Sequence, residues 1–264
     1  MMPPRIFDRA AYAKRRARAD HASAESFLIE DVTQALQERI STARRHFGRG
    51  LDIGSRRQSF ALLTPVAKGW VRTSLWQPEL PIAGRDVVAD EEYLPFADAA
   101  FDIATSVLAL HAVNDLPGAL VQIRRLLRPG GLFVAAMFGT ATLNELRRAF
   151  AAGEMDILGG VSPRVAPFAE VRDLGGLLQR AGFALPVADL ERTNVRYRDF
   201  FTLIADLRTL GETNVLVQRS RQPLKRSILS SAIHHYIQND SEPDGRLKAT
   251  FDIVYLTGWA PGTG

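Results

Sequence analysis

Residues 87–131 read VVADEEYLPFADAAFDIATSVLALHAVNDLPGALVQIRRLLRPGG, and the fold is decided there. Val87 and Val88 close a short apolar run, and Asp90, Glu91 and Glu92 place three carboxyls directly behind it. Leu94-Pro95-Phe96 turns the chain, and Phe101 to Leu110 then reads as a mostly apolar strand buried on both faces, as central parallel strands are. Asn114-Asp115 offers an N-cap for a helix over Leu116 to Leu127, whose apolar residues recur at helical spacing. Pro129-Gly130-Gly131 stops that helix and LFVAAMF opens another strand. Strand, acidic turn, strand, helix, glycine turn and strand make half of a doubly wound α/β sheet.

Outward from this stretch, RGLDIGSRRQSF at 49–60 supplies a first strand and its turn. Glycine in such a turn lets backbone N–H groups approach a ligand and a helix start close behind it. Residues 69–75, GWVRTSL, read as strand two, and LWQPELPIAGR at 75–85, with two prolines, as a loop in place of a crossover helix. On the N-terminal side, residues 5–18 read as a short basic helix. Ser26 to Phe47 reads as a longer amphipathic one with Phe27, Leu28, Val32, Leu36 and Ile40 on its apolar stripe. On the C-terminal side come a helix from Thr142 to Phe150, an irregular Gly/Pro-rich segment at 155–168, a helix from Glu170 to Arg180 closed by Gly182, and a strand over 184–197. The chain ends with a helical insertion over 198–247 and a closing strand over Thr250 to Trp259.

ADEEYLPF, FDIATSVLAL and VNDLPGALVQIRRLLRPGG together resemble the class I S-adenosylmethionine (SAM)-dependent methyltransferases. The likeness is to the subfamily of the biotin-synthesis malonyl-carrier-protein methyltransferase and the mitochondrial complex I assembly factor that hydroxylates an arginine. GGVSPRVAPF, LRTLGETN and TFDIVYLTGWAP are similar to the latter. The resemblance implies a Rossmann-like, doubly wound sheet of seven strands, the last antiparallel, with N-terminal helices and a helical lid. It also implies one methyltransferase-like domain over 1–264: helices to 48, core 49–197, lid 198–247, and final strand and tail 248–264.

It implies SAM as cofactor, held by Asp52, Gly54 and Ser55 at the first turn, by Asp90 and Glu91 behind strand three, and by Leu108 in strand four. Asp90 would accept from the adenine amino group while the Glu91 N–H meets a ring nitrogen; the alternative is that Asp90 merely caps its own turn, with Glu92 facing solvent. Two positions depart from the family. Arg56 stands where a second glycine belongs, and should crowd the amino acid end of SAM; Thr73 and Ser74 stand where an acid normally meets the ribose, Glu79 arriving only later. Tyr12 is the candidate for an N-terminal aromatic near the cofactor, or a packing residue. His111 could line the reaction chamber as a base or be structural, beside Ala112 where the family commonly has tryptophan.

Composition bounds the rest. Hydrophobic residues make up 46% and charged residues 23% of 264, enough for a substantial core. Cysteine is absent, which excludes disulfides, thiolate chemistry and Cys-type zinc sites. His111, His234 and His235 show no metal-ligand spacing, so no metal is expected. Six basic residues before position 20 (Arg5, Arg9, Lys14, Arg15, Arg16, Arg18) read as a solvated helix face, the alternatives being contact with nucleic acid, acidic lipid or an acidic carrier. No aromatic interleaving supports nucleic acid, and no apolar run approaches the roughly 20 residues of a membrane span.

In-line transfer from a sulfonium needs alignment and water exclusion more than a base, so no catalytic residue is assigned. The expected function is methyl transfer to a small-molecule, carrier-bound or protein acceptor, with a respiratory-complex subunit or an acyl carrier protein as candidate partner. Two alternatives stand beside it: hydroxylation of a subunit arginine in complex I assembly, and a non-catalytic scaffold. With 29 Arg against 4 Lys the composition points to a GC-rich bacterial source and the cytoplasm, or the mitochondrial matrix if the source is eukaryotic.

Overall fold

A computed structural model describes residues 5–22, 25–77 and 85–262. The described strands are β1 (Phe47–Asp52), β2 (Ala67–Ser74), β3 (Arg85–Val88), β4 (Phe101–Val107), β5 (Leu127–Phe138), β6 (Ala184–Tyr197) and β7 (Leu247–Trp259). They form one sheet in the order β3-β2-β1-β4-β5-β7-β6. The first five run parallel, while β7 lies antiparallel between β5 and β6. The order turns outward in both directions from β1 and β4, the switch point where doubly wound sheets bind ligands. Seven strands with the last antiparallel is the architecture the sequence implied.

The described helices are α1 (Arg9–His21), α2 (Phe27–Ser41), α3 (Arg57–Leu63), α4 (Leu116–Leu126), α5 (Asn144–Leu158), α6 (Val171–Arg180), α7 (Phe200–Thr209) and α8 (Arg226–Asp240). They cover both faces of the sheet. Val134 and Ala136 of β5 point into a core shared with α2, α5, α7 and α8, while Phe133 and Ala135 point into one shared with α4 and α6. This alternation explains why β4 and β5 carry apolar side chains on both faces; burying each large one contributes about 1.5–3 kcal/mol. Gly50 is required by packing, because a Cβ there would lie 2.6 Å from the Trp70 ring on β2.

Several boundaries differ from those read off the sequence. Strand β4 stops at Val107, not Leu110, because Leu108 adopts a φ of 48° and a 3-10 turn, Leu110–Ala112, follows. Helix α2 stops at Ser41, and Phe47 opens β1 instead of closing the helix. Its Phe27 faces outward, while Leu28, Val32, Leu36 and Ile40 are buried as read. Pro129-Gly130-Gly131 does not end α4: the chain leaves the helix at Leu126, and the glycines form an irregularity inside β5, with register shifting opposite Phe101 and Ile103. Helix α5 runs to Leu158, absorbing the first four residues of the supposed irregular segment, and β7 begins three residues early. Asp115 caps α4 through the Gly118 N–H at 2.9 Å, whereas Asn114 turns away to bind Ile6 and Phe7. Glu79 and most of the 75–85 loop lie outside the described residues.

Candidate functional site

The carboxyl ends of β1, β3 and β4 meet on one rim. Asp52, the last residue of β1, is fully buried, and its Oδ1 accepts from the Thr105 hydroxyl of β4 at 2.9 Å. Burial pushes this carboxyl up to about 6, against the pull of the Ser55 and Thr105 hydroxyls and the Arg72 and Arg16 charges. Gly54 follows with φ 64°; a Cβ there would lie 2.4 Å from the Ala109 Cβ and 2.8 Å from Glu91 Oε1. One backbone position thus touches the turns behind both β3 and β4, a junction only glycine fits. Leu108 holds a left-handed backbone, which costs about 1–2 kcal/mol in a non-glycine residue, with its N–H on Ala136 O at 2.9 Å. Such strain recurs at functional sites.

Of the six expected cofactor residues, then, the structure assembles Asp52, Gly54, Ser55, Glu91 and Leu108 at the rim, with Asp90 beside them, one-quarter exposed. Thr73, at the ribose position, is buried, its Oγ1 3.4 Å from the Gly54 N–H, while Ser74 donates to Trp76 O at 2.5 Å. Asp90 Oδ1 accepts from the Glu92 N–H at 3.0 Å, so it does cap its own turn. Glu92 is not solvent-facing: its Oε1 accepts from the Asn114 N–H at 2.5 Å.

The larger difference concerns the basic N-terminal segment. Only part of it is a solvated face. Arg9, Tyr12 and Arg16 recur at i, i+3 and i+7, one face of α1, and that face is turned onto the rim. Arg9 donates to Asp90 through Nη2 at 2.9 Å and Nε at 3.3 Å, to Ala112 O at 2.8 Å, and to Glu91. Arg16 donates to Gly54 O at 3.0 Å and to Leu108 O at 2.8 Å. Tyr12 sits between the two guanidiniums, 5.1 and 5.3 Å from its ring centre, with its hydroxyl 3.4 Å from Ala109 O. Burial raises the Glu91 carboxyl against the pull of Arg9.

A second group centres on Glu212 in the lid, a residue not singled out from the sequence. Its Oε1 accepts from Arg16 at 3.0 Å and Arg56 at 3.1 Å, and its Oε2 lies 3.1 Å from His111 Nε2. Burial would raise this carboxyl, but His111, Arg16 and Arg56 outweigh it and bring it down to about 2. Arg56 was expected to crowd the cleft. Instead its side chain folds onto the lid, donating to Glu212 and to Leu210 O. Burial, with Arg16 nearby, lowers the Arg56 guanidinium to about 9. Buried Arg16 Nε, Arg56 Nε, His111 Nδ1 and Asp52 Oδ2 make no hydrogen bond. Unpaired donors and an unpaired carboxylate oxygen suit an amino acid zwitterion, so the residues present fit the amino acid end of SAM.

Beside the rim lies a cavity of about 200 Å³, walled by Phe7, Phe138, Phe150, Phe168 and Phe251, with His111, Glu212, Asn214, Arg164, Thr142 and Thr213 among its polar members. Phe7 packs in one cluster with Ala112, Tyr12, Val215 and Leu216. Arg164, Val165, Ala166 and Phe168 of the segment at 159–170 line this chamber, and the segment is held by hydrogen bonds: Glu154 accepts from the Ser162 N–H at 2.5 Å and from Arg164 Nε at 2.9 Å, and Asn214 donates to Pro163 O at 2.7 Å. Among the described residues no group of three or more His, Asp or Glu could hold a metal ion, and no helix is long and apolar enough to cross a membrane.

Residues 54–135 match the family described as "Methyltransferase domain". The chain is 38% identical to "Arginine-hydroxylase NDUFAF5, mitochondrial" of Mus musculus over 96% of this chain and 77% of that protein. It is 30% identical to the malonyl-(acyl-carrier protein) O-methyltransferase of Gallionella capsiferriformans over 97% of this chain and 92% of the other. The fold is shared with the YcgJ protein of Bacillus subtilis, with a TM-score of 0.59 at 15% identity over 88% of this chain and 99% of that one.

Proposed function

Because the chain belongs to the class I SAM-dependent methyltransferase superfamily, in the subfamily of both groups of relatives, we propose that it binds SAM on the rim of β1, β3 and β4 and presents an acceptor from the aromatic chamber. The observation that carries this reading is the adjacency of the two spaces. His111 and Ala112 line the chamber three and four residues beyond Leu108, and Glu212 reaches from the chamber wall to Arg16, which itself caps Gly54 and Leu108.

Asp52 and Ser55 would take the amino acid end, and Asp90 with the Glu91 backbone the adenine. SAM would supply a methyl group on a sulfonium. The chain's own contribution is alignment and exclusion of water: five phenylalanines wall the chamber, and the 159–170 segment is pinned over it. We read residues 1–264 as one such unit. The acceptor is a small molecule, a carrier-bound acyl group or a protein side chain.

A second reading, hydroxylation of an arginine on a partner protein, is favoured by the higher identity to the NDUFAF5 relatives. Incubating the full chain with labelled SAM, dioxygen and a two-electron reductant, together with either a malonyl-carrier protein or an arginine-containing peptide, separates the two. Methyl transfer adds label and the mass of one methylene; hydroxylation adds the mass of one oxygen and no label. Neither change, with SAM bound, supports a scaffold.

A further inference from the structure

Helix α1 holds the groups assigned above to the cofactor. Arg9 occupies both oxygens of Asp90 and pairs with the buried Glu91 carboxylate; Arg16 takes the carbonyls of Gly54 and Leu108; Tyr12 reaches Ala109 O. Tyr12 and Arg16 are each 1% exposed, so little solvent lies between helix and rim. Asp90 already accepts three donors, Arg9 Nη2 and the Glu92 N–H on Oδ1 and Arg9 Nε on Oδ2, which leaves about one of its roughly four acceptor positions, so the guanidinium and an adenine amino group compete for the same carboxylate. Resting on the SAM reading, we infer that α1 is an internal competitor of the cofactor, a plug that must withdraw before adenosine can seat on Asp90 and Glu91.

The plug is also fastened to the acceptor side. Asp8, the N-cap of α1, donates its N–H to Val215 O at 2.8 Å and accepts from Arg219 at 2.8 Å, and Val217 N donates to Ile6 O at 2.9 Å. Arg15 donates to Asn214 O, and Phe7 lines the chamber itself. Withdrawal of α1 therefore loosens the lid segment 212–219 as it clears the rim, so cofactor binding and opening of the chamber are coupled. This differs from a helix that folds over bound cofactor, for which binding and helix docking reinforce each other.

Amide hydrogen exchange of the full chain with and without S-adenosylhomocysteine separates the two directly. The plug predicts faster exchange over 9–21 when the ligand is added; a covering helix predicts slower exchange. Two variants give independent readings by calorimetry. Arg9→Gln removes the guanidinium that competes for Asp90 and should bind S-adenosylhomocysteine about tenfold tighter, the scale of one charge-assisted hydrogen bond.

Phe7 and Leu216 face each other across an antiparallel bridge, as a non-hydrogen-bonded pair. Such pairs have Cα atoms about 4.5 Å apart, within disulfide range. Because the chain has no cysteine, Phe7→Cys with Leu216→Cys gives a single unambiguous crosslink. Oxidised, it should weaken binding at least about tenfold, as the fraction of competent chain falls, and reduction should restore it. Slower exchange over 9–21 with ligand, or Arg9→Gln binding no tighter than the parent, overturns the plug while leaving the SAM site standing. If neither the parent nor Arg9→Gln binds at all, the cofactor reading fails and the plug falls with it.

Discussion

Replacing Glu212 by Gln should lower stability more than any other single change of charge in this lid. Among the described residues its carboxylate pairs with both Arg16 and Arg56, and it also meets His111. Its pKa falls from an ordinary 4.5 to about 2 in the fold. At about 1.4 kcal/mol per tenfold change in proton affinity, that depression is worth about 3 kcal/mol. The sign follows from linkage. A carboxyl whose folded pKa is depressed contributes fully above its unfolded value, near pH 4.5, and the contribution is lost as pH falls through about 2. Glutamine keeps the shape and one acceptor but leaves two buried guanidiniums without a counter-charge, a loss of about 3–5 kcal/mol for a broken buried pair. For a chain of this size the lower figure corresponds to a fall in Tm of roughly 6–12 °C. Urea unfolding of parent and Glu212→Gln at neutral pH, repeated down to the lowest pH at which both fold, measures the gap. A gap below about 1 kcal/mol at neutral pH, or one that does not narrow as the solution is acidified, would refute the charge-hub account.

Three further outcomes are expected. Asp52 has the opposite sign: burial raises its folded pKa from 3.8 to about 6, so its contribution is complete below about pH 4 and is lost as pH rises through about 6. Asp52→Asn should therefore gain on the parent across that window, by up to about 3 kcal/mol at neutral pH, read by urea unfolding at several pH values. Gly54→Ala forces a Cβ to 2.4 Å from the Ala109 Cβ at a φ of 64°; it should cost at least about 1–3 kcal/mol and abolish cofactor binding, checked by unfolding and calorimetry. Gly153→Val pushes α5 off α8, because even a Cβ at Gly153 lies 2.7 Å from Ala232 N. A loss of about 1–3 kcal/mol in the unfolding midpoint, with cofactor binding unchanged, is the expected result.

The sheet was legible because its order is written in local pattern. FDIATSVLAL is mostly apolar and LFVAAMF wholly so, as strands covered on both faces are, and Gly54 and Asp90 mark the turns behind β1 and β3. Boundaries were less legible where tertiary contacts override local signals. Leu108 takes a backbone that leucine disfavours, ending β4 three residues early, and nothing in the letters around it announces this. Asn114 looks as good a cap as Asp115, and only the distant backbone of Phe7 decides between them. At the site, the rim residues follow from motif order, whereas Glu212 lies 101 positions from His111, and no spacing rule connects them. The inward face of α1 could have been found: Arg9, Tyr12 and Arg16 stand at helical spacing. Reading all six charges as one solvated run hid that Arg9 and Arg16 have carboxylate partners 81 and 196 positions away.

The central claim is that adenosine seats on the rim made by Gly54, Asp90, Glu91 and Leu108, and calorimetric titration of the purified full chain with S-adenosylhomocysteine tests it most directly. The account predicts saturable binding to one site per chain, weakened at least about tenfold by Asp90→Asn, the scale of one lost charge-assisted hydrogen bond. Absence of saturable heat up to millimolar ligand, in the parent and in Arg9→Gln alike, would contradict it.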